Sequence, residues 1–175
     1  ILGDFFESIT RDGFKQTKGQ FFTPINIVRF ILYAMELDNL AIHRLNEKQD
    51  LPYIIDPSCG SGTFLIEAMK AVTKELKHKR FDELDSSNQV QRWFDVYFPD
   101  KQENTWARTY LYGADSNFDL GTAAKVNMIL HGVEAPNIIH TNTLAENLDD
   151  IQEKDRYDVV LANPPFGGKE RAEVQ

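Results

Sequence analysis

Two stretches of the chain carry residue types whose spacing suits chemistry: D-P-S-C-G-S-G-T-F at 56–64 and N-P-P-F at 163–166. In the first, Asp56 closes an apolar pentapeptide, P-Y-I-I-D, and can point a carboxylate into the crevice beyond it. Gly60 and Gly62 remove side chains where a backbone must approach a ligand closely. Ser58 and Thr63 add hydroxyls, and the helical pattern that follows offers unpaired N–H groups in its first turn. A dinucleotide fingerprint needs G-x-G-x-x-G and a phosphate loop needs G-x-x-x-x-G-K-[ST]. Here G-S-G-T-F has neither the third glycine nor the lysine, so both phosphate readings fail. An acid ahead of the glycines suits a cation better than a pyrophosphate. The amino group and sulfonium of S-adenosylmethionine meet that description; a plain tight βα turn is the alternative.

The second stretch suits an amino group conjugated to a ring. The exocyclic nitrogen of adenine is a poor nucleophile because its lone pair is delocalised. The Asn163 side-chain oxygen and a backbone carbonyl offer two uncharged acceptors for its N–H groups, drawing the nitrogen toward tetrahedral geometry. Pro164 and Pro165 fix φ and remove competing donors. Phe166 supplies a flat apolar face on which an extruded base can stack. Asn-Pro is also a common turn opener, but this one follows directly on an apolar, strand-like run.

Two more polar residues close apolar runs. Asp115, in Y-G-A-D-S-N, can accept both hydroxyls of a ribose, or cap the helix expected from 118. It lies 59 positions beyond Asp56, whereas the usual interval from a glycine turn is about 20 residues. An insertion at 77–108 accounts for the difference. Asn142, in H-T-N-T-L, can reach an adenine ring or serve as a turn residue. Cys59 reads as a small packing residue, with no base beside it to make it a nucleophile. His43, His78, His131 and His140 form no metal-ligand spacing with it, so no metal is expected.

Strands and helices must hold these groups in place. Thr23-Pro24 reads as an N-cap followed by proline at the first helical position. Val28, Ile31, Leu32 and Met35 then mark one apolar helical face. A short helix at 3–10 and a Gly/Lys-rich loop precede it, and 39–51 reads as a polar connection. After the strand at 52–56 and its glycine turn, Leu65, Ala68, Met69, Val72 and Leu76 stripe the next helix. The stretch 77–108 reads as an insertion with one helix, long loops and an aromatic cluster at Trp93, Phe94, Tyr97 and Phe98. A strand at 109–115, a helix at 118–131 and strands at 137–140 and 157–162 complete the pattern. Apolar strands separated by helices indicate a doubly wound, mostly parallel α/β sheet covered on both faces. Ligands of such a sheet bind at the carboxyl ends of its strands, near the reversal of strand order.

The chain has 175 residues, enough for one domain with a sizeable core. Its 42% hydrophobic and 26% charged composition is that of ordinary globular proteins. No apolar run approaches the roughly 20 residues of a membrane-spanning helix, so no membrane is expected. The acidic, amphipathic start lacks the basic region of a signal peptide, and without an initiator Met the sequence reads as part of something longer. A lone cysteine suits a reducing cytoplasm. The net charge of −8 argues against this chain gripping nucleic acid unaided, because phosphate contacts need Lys/Arg clusters. Either the charge serves solubility, or partner chains supply the grip. The run K-E-L-K-H-K-R at 74–80 can touch phosphates or form a solvated helix end.

The order F-F-T-P (21–24), D-P-S-C-G-S-G-T-F-L (56–65), G-A-D-S-N (113–117) and N-P-P-F (163–166) resembles the N6-adenine DNA methyltransferases. Within them it is most similar to the modification subunit of type I restriction–modification systems. The resemblance implies a class I S-adenosylmethionine-dependent methyltransferase, Rossmann-like, with 1–38 as N-terminal helices and 39–175 as the first part of the catalytic domain. It places Phe22, Thr23 and Pro24 at the methionine part of the cofactor, and frames that cofactor with Asp56, Ser58, Gly60, Gly62 and Thr63. Asp115 takes the ribose, and Asn142 and Asn163 complete the cofactor set. The family often carries an acid where Asn142 stands. Asn163, Pro164, Pro165 and Phe166 hold a flipped-out DNA adenine. The family further implies three strands beyond the four expected here, a specificity subunit and a restriction subunit. Two rivals share parts of this pattern: an N-methyltransferase of protein glutamine or an RNA base, and a non-catalytic cofactor-binding subunit. F-F-T-P ahead of the glycine turn favours DNA, and the intact Asn163 favours catalysis.

Overall fold

The computed structural model describes residues 22–79, 88–99, 104–145, 149 and 151–164. Four short parallel strands cross it in the order β3-β2-β1-β4: β1 (Ile54–Asp56), β2 (Leu111–Asp115), β3 (Asn137–His140) and β4 (Val159–Val160). The chain moves outward from β1 to β2 to β3, then crosses back to lay β4 on the other side of β1. The reversal between β1 and β4 leaves a crevice at the carboxyl ends of the strands. This is the doubly wound α/β sheet that the alternation of apolar runs and helices indicated.

Helices α1 (Ile25–Ala34) and α2 (Leu37–Lys48) precede β1. Between β1 and β2 come α3 (Thr63–Lys79), α4 (Asn88–Tyr97) and the single turn α5 (Ala107–Tyr110). Helix α6 (Phe118–Leu130) joins β2 to β3. The α3 stripe behaves as its spacing demands: Leu65, Ala68, Met69, Val72 and Leu76 are all wholly buried. On α1 the stripe holds for Val28 and Leu32, but Met35 is 44% exposed, because the helix ends at Ala34 and Met35 is its C-cap.

The stretch 39–51 is not a polar connection. Leu37, Ala41, Ile42 and Leu45 bury one face of α2, while Asn39, His43, Glu47 and Lys48 face solvent. The polar residues outnumber the apolar ones, and the short apolar face hides among them. Glu36 and Gln49, each at φ 51°, bound the helix in the left-handed region.

The stretch between α3 and β2 carries the helix α4, and its aromatic residues pack into the core. Trp93 and Phe94 of α4 and the wholly buried Trp106 join the main core. The Trp106 indole N–H donates to Thr73 Oγ1 on α3 at 2.8 Å, satisfying the polar atom that burial would otherwise strand. Trp106 anchors a helical turn through Tyr110, so β2 begins at Leu111 rather than at 109. The helix expected at 3–10 lies outside the described residues.

β4 pairs with β1 through only two residues, and a cluster at its start secures it. Asp158 accepts from Arg44 of α2 at 2.6 Å and from the Tyr53 backbone N–H at 2.9 Å. Leu161 N–H then donates to Ile55 O, so the chain leaves the sheet beside β1 and heads into the crevice.

Candidate active site

At the carboxyl ends of the strands lies a cleft with about 910 Å³ of empty space, its open mouth included. Every strand contributes to its wall: Ser58 and Gly60 after β1, Asp115 at the end of β2, Asn142 and Leu144 after β3, Asn163 and Pro164 after β4. Phe22, ahead of α1, closes one side. Residues up to 142 positions apart in sequence thus meet in one place.

The glycine turn is held from beneath by acids. Asp56 is 2% exposed, and its Oδ1 accepts the Ser58 backbone N–H at 3.0 Å. It is not on the cleft wall but one layer behind it. Burial pushes its carboxyl up to about 7; the negative charge of Asp115 adds to the rise, and the Ser58 amide opposes it. Asp115 is the acid that reaches the wall. Its Oδ2 accepts the Gly60 N–H at 2.8 Å and its Oδ1 the Asn117 N–H at 2.7 Å. Of the two roles open to it in the sequence, capping falls to Asn117, whose side chain accepts from Asp119 N and Leu120 N.

Gly60, at φ +54°, faces open space where a side chain would begin, so a ligand can lie against the backbone there. Gly62 serves the other side of the turn: at φ +84° its Cα faces α6, where a Cβ would meet that of Ala124 at 3.3 Å. Thr63 is buried at the start of α3, its Oγ1 3.4 Å from Ser61 Oγ. The buried Asn127 of α6 donates to Ser61 O at 3.1 Å, a support for the turn that its sequence gave no cue to. Cys59 is buried against the core, and burial together with the charges of Asp56 and Asp115 pushes its thiol well up, away from thiolate chemistry.

Opposite the turn, the Asn163 amide N–H donates to Thr23 Oγ1 at 2.9 Å. Thr23 therefore does not cap α1 with its side chain; the helix starts after Pro24, whose carbonyl accepts from Ile27 and Val28. Pro24 itself is exposed and off the cleft wall. Asn142 lines the cleft and its Oδ1 also accepts the Leu144 N–H, so wall and turn roles coexist in one side chain. Thr143 ties this loop to the glycine turn by donating to Pro57 O at 3.2 Å. Thr143, Ser116, Leu120 and Leu144 on the wall were not singled out from sequence; their only signal was position just past the ends of β2 and β3. Pro165 and Phe166 lie outside the described residues.

The N-6 DNA Methylase family model matches residues 1–175, the whole chain. The chain belongs to the N-6 DNA Methylase family. Among the curated relatives of this N-6 DNA Methylase chain is the type I restriction enzyme EcoEI methylase subunit of Escherichia coli. It is 29% identical over 177 residues, covering 100% of this chain and 29% of that protein. The MjaVII methylase subunit of Methanocaldococcus jannaschii is 26% identical over 153 residues, 87% of this chain and 19% of that one. Among solved structures, a modification subunit assigned to a type I restriction enzyme of Vibrio vulnificus superposes with a TM-score of 0.64 at 26% identity. The match covers 99% of this chain and 30% of that one. The chain thus spans under a third of the length of each of these relatives. Type I subunits among the relatives agree with the kinship that the order of the four motifs indicated.

Proposed function

We propose that this chain is the cofactor-binding and catalytic-loop part of an adenine-specific DNA N6-methyltransferase, working as the modification subunit of a type I restriction–modification system. One observation carries the reading: the Asn163-Pro164 segment and the acid-backed glycine turn face each other across a single cleft. The residues fit S-adenosylmethionine. The open space over Gly60 admits a ligand against the backbone, and Asp115 gives the wall a negative character suited to a cation. Phe22, Ser58, Gly60, Asp115 and Asn142 would hold the cofactor, with Thr23, Pro24, Asp56, Gly62 and Thr63 shaping the parts behind them.

When bound, S-adenosylmethionine supplies an electrophilic methyl group. The work of this chain is to prepare the nucleophile. The Asn163 side-chain oxygen and a backbone carbonyl of the same loop accept the two N–H groups of the adenine amine. That removes the amine from conjugation and turns its lone pair toward the cleft. Both acceptors are uncharged, so neither draws the proton off prematurely. Pro164 and Pro165 hold the loop stiff, and Phe166 gives the extruded base a stacking face. Sequence choice and most of the DNA grip fall to a specificity subunit and to the rest of the polypeptide, in keeping with the charge of −8. A restriction subunit completes the assembly, in the cytoplasm. No helix among the described residues is long and apolar enough to cross a membrane.

The test is radiolabelled cofactor offered to the whole protein with duplex DNA, RNA or protein. Label is expected in DNA adenine, and is expected to vanish in Asn163→Ala. Label in protein or RNA alone would overturn the substrate, and unchanged methylation by Asn163→Ala would overturn the catalytic role.

A further inference from the structure

Asn127 of α6 is 0% exposed and off the cleft wall, yet its side chain reaches the glycine turn. Its Nδ2 donates to Ser61 O at 3.1 Å. A carbonyl only accepts, so the NH2 end of the amide must face it. That leaves Oδ1 on the other side, buried and with no hydrogen-bond partner among the described residues. A buried amide with one end unpaired adds little to stability, because the orphaned oxygen has lost its water. What the residue supplies is a donor aimed at one carbonyl.

Ser61 O belongs to the same peptide unit as the Gly62 N–H, which donates to Cys59 O at 2.8 Å. The unit is pinned at both ends, and no other donor among the described residues reaches its oxygen. Pinning matters because Gly60, at φ 54°, and Gly62, at φ 84°, flank Ser61 and oppose little resistance to rotation. Asp115 holds Gly60 from the cleft side. Asn127 holds the Ser61–Gly62 peptide from the core side. Its own place is set by the helix: Asn117 caps one end of α6, and Asn104 donates to His131 O, at 2.7 Å, at the other. Leu120, Ala124 and Met128 of the same helix are buried.

We infer that Asn127 is a positioning residue for the cofactor turn: its amide holds the Ser61–Gly62 peptide in the orientation that leaves the Gly60 backbone open to the ligand. The inference deepens the proposed function and rests on that turn being where the cofactor binds. Without the donor the peptide samples other orientations, and affinity falls with the fraction of time the turn is correctly set.

The experiment compares the wild type with Asn127→Leu and Asn127→Ser in the whole assembled protein. Leucine keeps the branched shape without a donor. The serine hydroxyl is one bond shorter and turns back to the carbonyl of Ala123, one helical turn earlier. S-adenosylmethionine affinity is titrated directly, turnover on duplex DNA is measured at saturating cofactor, and exchange of the Gly62 amide is followed. Both variants are expected to bind about tenfold more weakly, the factor that one hydrogen bond of about 1.4 kcal/mol implies. Turnover at saturation is expected to change much less, and the Gly62 amide to exchange faster. A merely structural role would lower the thermal midpoint and leave the affinity of the folded protein as it was. Unchanged affinity in either folded variant therefore overturns the inference, as does a loss of turnover with affinity intact. If Asn127→Leu fails to fold, the smaller Asn127→Ser decides in the same way. A wild type that does not bind S-adenosylmethionine overturns the proposed function itself; a wild type that binds, with variants that bind equally well, overturns only the positioning role.

Discussion

Asp115, the last residue of β2, accepts the backbone N–H of Gly60, 55 residues earlier, at 2.8 Å. Its other oxygen accepts from Asn117 N at 2.7 Å, so one carboxylate fastens both the glycine turn and the approach to α6. A loop built on glycines has little stiffness of its own. The acid at the end of the neighbouring strand supplies it.

Asp115→Ala should therefore loosen the turn as well as remove a charge from the cleft. Two half-buried donors lose a charged acceptor, a cost of about 1.5–3 kcal/mol. Amide hydrogen exchange reads this directly: the Gly60 amide should lose its protection, and cofactor affinity should fall with it. Asp115→Asn, which keeps one acceptor oxygen, should lie between. Full protection of Gly60 in the Ala variant would contradict the arrangement.

Asp56 makes stability depend on pH with an unusual sign. Its carboxyl is raised from 3.8 to about 7 by burial, with Asp115 contributing, so between these values the folded state holds a proton the unfolded chain has lost. Its contribution therefore falls as pH rises from about 4 to 7, at most by about 1.4 kcal/mol per pH unit. Asp56→Asn removes this slope, and its advantage over the wild type should widen toward pH 8 and shrink toward pH 5. Parallel stability curves for the two proteins across that range would show that Asp56 does not titrate there.

Glu67 has the opposite sign. Burial would raise its carboxyl, but hydrogen bonds from Arg29 and Lys70 outweigh that and hold it below the usual 4.5. Its contribution is present above the unfolded value and is lost as pH falls through the lower folded one. Glu67→Gln should abolish that acid-side loss and loosen α1 from α3. Limited proteolysis ahead of α1 should then be faster at neutral pH; an unaltered cleavage rate would mean α1 is held by its apolar face alone.

Gly113 in β2 is a packing position. A Cβ there would stand 2.6 Å from Ile138 Cδ1, 2.9 Å from Leu65 Cδ1 and 3.2 Å from Cys59 Sγ. Gly113→Ala must displace two buried side-chain tips and press on the residue that seats the glycine turn. Overpacking of this kind costs about 1–3 kcal/mol. A lowered thermal midpoint with weakened cofactor binding is expected, and a midpoint equal to the wild type would show that the tips move aside freely.

Several elements were legible because their signal is local. The α3 stripe, the strand at 137–140 and the strand leading to Asp56 each follow from the spacing of apolar residues, and the glycines at 60 and 62 from backbone demand. Other elements were hidden because their signal is not local. Helix α2 looks polar until its four buried residues are seen against α3. Trp106 reads as one aromatic among polar neighbours until Thr73 receives its N–H. Thr23 looks like a helix cap, since nothing near it in sequence announces a partner 140 residues away.

By itself the sequence determined the order of the chemistry: an acid-and-glycine turn, a second acid, then an asparagine-proline loop, each at the end of an apolar strand. It also determined that the strands lie parallel, because runs buried on both faces require helices between them. Only the tertiary structure decided which of these groups meet. Strand order brings β4 beside β1, and that placement sets Asn163 across a cleft from Gly60. The two acids then part by depth: Asp115 stands on the wall, while Asp56 is buried behind it with its carboxyl raised. Side-chain burial and long-range pairing depend on distances through space, which the spacing of residues along a chain does not contain.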